Sequence, residues 1–409
     1  MSTTDVRKTD PGTFREELQA FLESIEADFG AGTEPTEDRQ GSDRIASVEE
    51  LREGHEAQVQ LVRRLQATLY DAGYAWPSGP SDYGGRDLSG EYDLEVERLL
   101  DEKGFPSREA LFVGLNIVAP AVHRHGNEDL RKRVLPALYR GDAIGCQLFS
   151  EPGAGSDLAG VSARAVRDGD DWILSGQKVW TSMAHLADVG EALVRTDPQA
   201  PKHAGLTMFV VDMHAPGVTV RPIRQMTGGS AFNEVFLDEV RVPDTNRIGQ
   251  VGEGWRVAST SLGSERSTMS GATGPVTPYV LERLHTLVTR LDATAKSVHR
   301  PQIARTVTAL TALRSAAELT EGSWSHQLAP FSGSILKMLM TRAVDEIGAL
   351  AENVLGEQAY RDSGAWDSFA WSEFVLGAPA LHLAGGTDEI QLNVIAQRGL
   401  GLPRPPKHS

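Results

Sequence analysis

The chain has 409 residues and carries 40 Lys and Arg against 56 Asp and Glu, a net charge of −16. That balance argues against a nucleic-acid binder, which needs a clustered positive field, and against an anionic membrane surface. The single cysteine, Cys146, rules out an intramolecular disulfide and argues against a cysteine-built zinc site. No apolar run approaches the roughly 18–20 residues of a membrane helix, and the polar first residues lack the apolar stretch of a signal peptide. The expectation is a cytoplasmic protein of two or three domains.

Residues 13–27 place Phe14, Leu18, Phe21, Leu22 and Ile25 at helical spacing and predict an amphipathic helix. Residues 28–48 are polar and aperiodic, a loop. Residues 49–72 return to the helical period and stop at Gly73, a suitable C-cap. The stretch from Trp76 to Gly85 is rich in Pro and Gly and reads as irregular. Residues 91–103, 108–125 and 127–140 are again helical, with Asn127 as an N-cap and Gly141 after the last turn.

After Gly141 the pattern changes. Residues 161–167 and 171–176 are β-rich and flank Asp168-Gly169-Asp170, a hairpin signal. Residues 205–213, 218–223 and 233–243 are further strand candidates. From Trp255 the helical period resumes at 255–272, 276–295, 302–327 and 334–358, with a fifth helix at about 387–398. Pro275, Pro301 and Pro330 fall in the linkers. Helices, then strands, then helices make an α+β arrangement of segregated layers rather than alternating βαβ units. The expected divisions are an N-terminal helical domain at 1–143, a middle β domain at 144–254 and a C-terminal helical bundle at 255–409.

Three segments carry chemistry. In Glu151-Pro152-Gly153-Ala154-Gly155-Ser156-Asp157, closely spaced glycines let the backbone approach a ligand, and Ser150 and Ser156 add hydroxyls. Alone it is more often an ordinary turn. It has neither the Gly-Lys-Ser/Thr ending of a P-loop nor the strand–turn–helix setting of a dinucleotide fingerprint. In Gly176-Gln177-Lys178-Val179-Trp180-Thr181-Ser182, the indole can cover an aromatic ring while the hydroxyls hydrogen-bond to it. A lone Trp is more often a core residue. In Gly385-Gly386-Thr387-Asp388-Glu389-Ile390-Gln391, Thr387 can N-cap a helix whose first N–H groups suit an anion or a carbonyl. A plain turn-to-helix junction reads the same way. His123 and His125 are spaced i, i+2 and do not share a helix face, so no metal site is expected.

In this order and at these distances the segments resemble the acyl-CoA dehydrogenase family of flavoenzymes over nearly the whole chain. The resemblance begins at Trp76-Pro77 and Tyr83-Gly84-Gly85 and continues from Gln147 to Asp157 and from Gly176 to Trp180. It then takes in Phe232-Asn233-Glu234-Val235-Phe236, Val242-Pro243, Gly252-Glu253-Gly254-Trp255 and Gly386-Thr387 with Ile390-Gln391. It implies a helical N-terminal domain, a middle β-barrel or sandwich and a C-terminal four-helix bundle. FAD would be bound non-covalently between the β domain and the bundle, with help from a neighbouring subunit. The implied reaction desaturates an acyl thioester, on CoA or a carrier protein. A carboxylate takes the α proton and the β hydride passes to flavin N5. Electrons would leave to an electron-transfer flavoprotein or similar acceptor. The implied assembly is a homodimer, homotetramer or heterotetramer.

Many members place the base as a Glu directly before the terminal Gly-Thr; here that position is Gly385, which cannot accept a proton. In the branched-chain and long-chain subgroups the Glu lies on the first bundle helix before an Arg, and this chain has Glu265-Arg266 there. Glu265 is therefore the expected base, although a Glu-Arg dipeptide alone is more often a solvated pair. By position, Trp180 lies against the flavin face, with Thr181 beside it and Ser182 near N5. Phe149 and Ser150 contact the ring, and Thr387 and Glu389 touch the FAD. Ser156 would meet the pantetheine or phosphates, Arg266 the CoA or Glu265, and the N–H of Gly385 the thioester carbonyl. The absent side chain at Gly385 favours an acyl chain branched or bulky near the reacting carbons. The Arg-x-Phe-Gly pattern that contacts a partner's adenosine is missing at 295–302, and the turn Gly356-Glu357-Gln358 is altered. Two other readings stay open: a non-catalytic or half-competent partner subunit, and a flavin monooxygenase on the same fold.

Overall fold

The computed structural model describes residues 10–29, 45–47, 56–269, 274–321, 328 and 331–403. The chain divides into two compact units: Met1–Thr36, Leu51–Ile223 and Ser230–Ser261 form the first, and Glu37–Glu50, Arg224–Gly229 and Leu262–Ser409 the second.

The first unit opens with α1 (Pro11–Phe29), which buries Phe14, Leu18, Leu22 and Ile25, the stripe its spacing predicts. Helix α2 (Glu56–Asp71) buries Val59, Val62, Leu65 and Leu69 and is closed by Gly73 at φ +79°. The part of this predicted helix before Glu56 lies outside the described residues. Helix α3 (Gly90–Glu102) follows. The predicted helix at 108–125 is broken into a 3₁₀ turn at Glu109–Leu111, a π-helical turn at Gly114–Val118 and α4 (Ala119–His125). Gly114 abuts Gly145, whose added Cβ would come within 2.7 Å of the Gly114 Cα, so the backbones touch there. Helix α5 (Glu128–Arg140) starts where Asn127 Oδ1 accepts from the Leu130 N–H at 2.8 Å and ends at Gly141, φ +78°.

The β segment is one eight-stranded mixed sheet. Its strands are β1 (Gly145–Leu148), β2 (Arg164–Asp168), β3 (Asp171–Ser182), β4 (Val189–Arg195), β5 (Leu206–Asp212), β6 (Val218–Pro222), β7 (Phe232–Pro243) and β8 (Arg247–Ile248). They run in the order β6-β7-β3-β2-β4-β5-β8, with β1 parallel to β4. The predicted hairpin stands: Asp168 pairs with Asp171 across a turn whose Gly169 has φ +64°. Strands β1, β4 and β8 are additions to the sequence reading. β4 is buried at its five central positions, so it shows no in–out alternation. The other two are only four and two residues long.

Helix α6 (Gly254–Met269) runs from the first unit into the second. The second unit is otherwise helical: α7 (Pro278–Arg290), α8 (Arg300–Glu321), α9 (Ser332–Leu355), α10 (Ser372–Leu381) and α11 (Asp388–Val394), which a π-helical turn extends to Gly399. Its core holds Leu287, Val344, Ile347, Ala351, Trp371 and Phe374. Helix α7 stops at Arg290, five residues short of the expectation, and turns with Asp292 at φ +48° follow. Pro301 sits in the first turn of α8 instead of a linker, where its missing N–H costs nothing. Helix α10 was not expected, because Gly377 and Pro379 interrupt its pattern. The predicted helical residues 270–272 and 322–327 lie outside the described residues.

Candidate active site

In the first unit the site residues are set by irregularities in β3. Its pairing with β7 shifts register between Leu174 and Gly176 and again between Lys178 and Thr181. Gly176 permits the first: a Cβ there would lie 2.4 Å from the Ala163 Cβ. The second holds Trp180 at φ +60°, a left-handed backbone that costs a non-glycine residue about 1–3 kcal/mol. Its indole is 60% exposed, edge-on to Phe232 at 6.2 Å. Thr181 beside it is buried, and its Oγ1 has no hydrogen-bond partner among the described residues. The Asn233 side-chain amide donates to the Thr181 carbonyl at 3.0 Å and fixes the strand there. Ser182 pairs with Phe232 at the strand end.

Phe149 is buried, and the Ser150 carbonyl accepts from the Val179 N–H at 2.9 Å, which ties this stretch to β3. Ser156 is exposed on the glycine-rich turn. Phe149, Ser150, Trp180, Thr181 and Ser182 thus come together in one unit. An open indole face beside a buried, unpartnered hydroxyl suits a flat heteroaromatic ring.

In the second unit Glu265 is half-buried on α6. Arg266 follows it on the helix; its side chain lies outside the described residues. Gly385 and Gly386 form a left-handed turn, φ +63° and +89°. Gln391 Nε2 donates to the Gly385 carbonyl at 2.7 Å, and Ser334 Oγ donates to Gln391 Oε1 at 2.7 Å. Thr387 caps α11, its Oγ1 accepting from the Ile390 N–H at 3.4 Å, as the sequence suggests. Glu389 is exposed. Its carboxyl is held below the ordinary range by its own backbone N–H and the Thr387 hydroxyl.

The sequence reading missed Lys337. It is buried on α9 and donates to the Gly386 carbonyl and, at 3.5 Å, to the His382 carbonyl. It also pairs with Asp388 at 3.5 Å. Burial lowers its pKa, opposed by the charges of Asp388, Glu265 and Glu389, so Lys337 is electrostatically coupled to Glu265. Its only sequence signal is a lysine beside Leu336 in a helix whose buried face also carries Met340 and Val344. His382 was missed too: Nδ1 meets Asp388 at 2.6 Å and Nε2 meets Asp345 at 3.1 Å. In the segment lacking the adenosine pattern, His299 bonds Asn353 at 2.6 Å and Gln302 Nε2 donates to Glu346 at 2.8 Å, so both are engaged on α9.

Among the described residues no cluster of His, Cys, Asp and Glu is placed to hold a metal, and no helix is long and apolar enough to cross a membrane. Models of the N-terminal, middle and C-terminal domains of acyl-CoA dehydrogenases match residues 42–142, 146–240 and 252–400. Acyl-CoA dehydrogenase FadE34 of Mycobacterium tuberculosis (strain ATCC 25618 / H37Rv) is 40% identical over 370 residues, 88% of this chain and 50% of its own. The chain thus spans about half the length of that relative. Acyl-CoA dehydrogenase IpdE1 of the same organism is 37% identical over 84% of this chain and 89% of its own. The solved structure named Tcur3481-Tcur3483 steroid ACAD is similar with a TM-score of 0.74 and 26% identity, covering 98% of this chain and 100% of its own.

Proposed function

The chain belongs to the acyl-CoA dehydrogenase family, and on that premise we propose that it desaturates an acyl thioester between Cα and Cβ with Glu265 as the base. The family's cofactor is FAD, which when bound supplies the hydride acceptor. Phe149, Ser150, Trp180, Thr181 and Ser182 would hold its ring, with Thr387 and Glu389 as further contacts. The exposed indole and the unpartnered Thr181 hydroxyl support that assignment.

An acyl thioester gives up its α proton only when a base is placed against it and its carbonyl is polarised. Glu265 serves as the base. The backbone N–H of Gly385 serves the carbonyl, a role that needs no side chain. The observation that carries this reading is Lys337. One buried ammonium holds the Gly385–Gly386 turn through the Gly386 carbonyl, which keeps the Gly385 N–H in place for the thioester carbonyl.

Gly385 contributes no side-chain volume, so the acyl chain is branched or bulky near the reacting carbons. The relative named a steroid ACAD supports a substrate of that kind. Ser156 and Arg266 are assigned to the pantetheine and CoA, and an electron-transfer flavoprotein or similar carrier to the reoxidation step. The division at 1–143, 144–254 and 255–409 belongs to the same reading. Replacing Glu265→Gln tests it: FAD stays bound, while bleaching of the flavin by acyl-CoA slows about 10²–10⁴-fold. Bleaching at the native rate removes Glu265 from the role.

A further inference from the structure

We propose that Lys178 and Glu151 form a buried clamp that sets the position of Phe149 and Ser150 against Trp180 and Thr181. Lys178 thereby acts as a positioning residue for the flavin site. The proposal rests on the flavin reading of those four residues.

Lys178 is wholly buried, and its ammonium has three acceptors from two separate segments. They are the Phe149 carbonyl at 3.0 Å, Glu151 Oε1 at 2.9 Å and the Leu193 carbonyl on β4 at 2.6 Å. Glu151 is equally well satisfied. Its Oε2 accepts from the N–H and the hydroxyl of Ser162, each at 2.7 Å, and its Oε1 also accepts from the Ala163 N–H at 2.8 Å. The pair thus joins both ends of the glycine-rich segment, residues 149–151 and 162–163, to β3 and β4.

A fully satisfied buried ion pair is weak evidence for stability, because apolar residues of the same volume hold a core equally well. What it adds is geometry. Lys178 holds the Phe149 carbonyl, and the next residue of β3, Val179, holds the Ser150 carbonyl at 2.9 Å. Trp180 and Thr181 come next along the strand. The contacts that satisfy Lys178 therefore fix the height of Phe149 and Ser150 relative to the indole. A misplacement of about 1 Å at such a site is worth far more in function than in stability.

The pair also titrates. Burial lowers the Lys178 pKa to about 8, opposed by Glu151, and Glu151 is the charged side chain facing it; its other partners are two carbonyls. A lysine whose folded pKa lies below its unfolded value binds fewer protons folded than unfolded between the two. Global stability from this group therefore rises, not falls, as pH climbs through 8. Deprotonation of Lys178 also loosens its hold on the two carbonyls, a local change that the flavin reports.

The test uses the full-length holoenzyme and the double variant Lys178→Met/Glu151→Gln, which leaves no lone buried charge. The double variant should lose some stability, because the Phe149 and Leu193 carbonyls keep no donor from residue 178, and is compared with the wild type at a temperature where both are folded. It should bind FAD about tenfold or more weakly, blur the fine structure of the visible flavin band, and exchange amide hydrogens faster over residues 149–163. The wild-type flavin spectrum should titrate near pH 8, and the variant's should not. Unchanged FAD affinity, spectrum and exchange in a folded double variant overturn the clamp. Trp180→Ala separates the two readings. If it leaves FAD affinity intact while the double variant loosens 149–163, the flavin assignment falls and the clamp on the segment stands.

Discussion

Lys337 and His382 show how much a single residue's surroundings decide here. Lys337 holds the Gly386 carbonyl and His382 holds Asp388, and neither stood out in the sequence, because a lysine in a helix normally reads as a solvated face. The structure buries Lys337 instead, among acceptors that satisfy it. Substituting Lys337→Met removes the donor to the Gly386 carbonyl, so the turn should loosen and flavin bleaching by acyl-CoA should slow. Rapid-mixing rates of flavin bleaching measure this, and a native rate separates Lys337 from the turn's role. For His382, burial lowers the pKa but Asp388 and Asp345 outweigh it and raise it overall. A raised folded pKa gives stability that is complete below the unfolded value, about 6.5, and is lost as pH rises through the folded one. Thermal melts across that window should show the slope in the wild type and not in His382→Gln. By contrast, the N-cap at Thr387 was legible in the sequence, because a threonine before an acidic first turn signals it without any knowledge of burial.

The elements divide along the same line. Helices α1, α2, α3 and α5 follow from apolar spacing and caps, since each buries one face and exposes the other. Strand β4 did not, because five consecutive buried residues including Gly190 and Glu191 carry no period. Helix α10 was hidden by Gly377 and Pro379. The irregularities of β3 were also beyond the sequence, although they aim Trp180. One of them depends on Gly176, whose missing Cβ lets the strand pass Ala163. Gly176→Ala should therefore destabilise the first unit by about 1–3 kcal/mol and weaken FAD binding in parallel. Denaturant melts and flavin titration measure the two effects, and a variant with wild-type stability contradicts this account of the bulge.

On the scale of the whole molecule, composition narrowed the chemistry to a few classes, and the order of motifs identified the family. The net charge of −16 does not attract a CoA polyphosphate. The proposed thioester binding therefore rests on local donors, with Arg266 and backbone N–H groups as the candidates. The most direct test mixes the purified flavoprotein anaerobically with straight-chain, branched and steroid side-chain acyl-CoAs and follows the visible flavin band. Branched or bulky thioesters should bleach it fast, and Glu265→Gln should lose nearly all bleaching with FAD still bound. A flavin-loaded protein that no thioester bleaches, or a Glu265→Gln variant that bleaches as fast as the wild type, would contradict this reading.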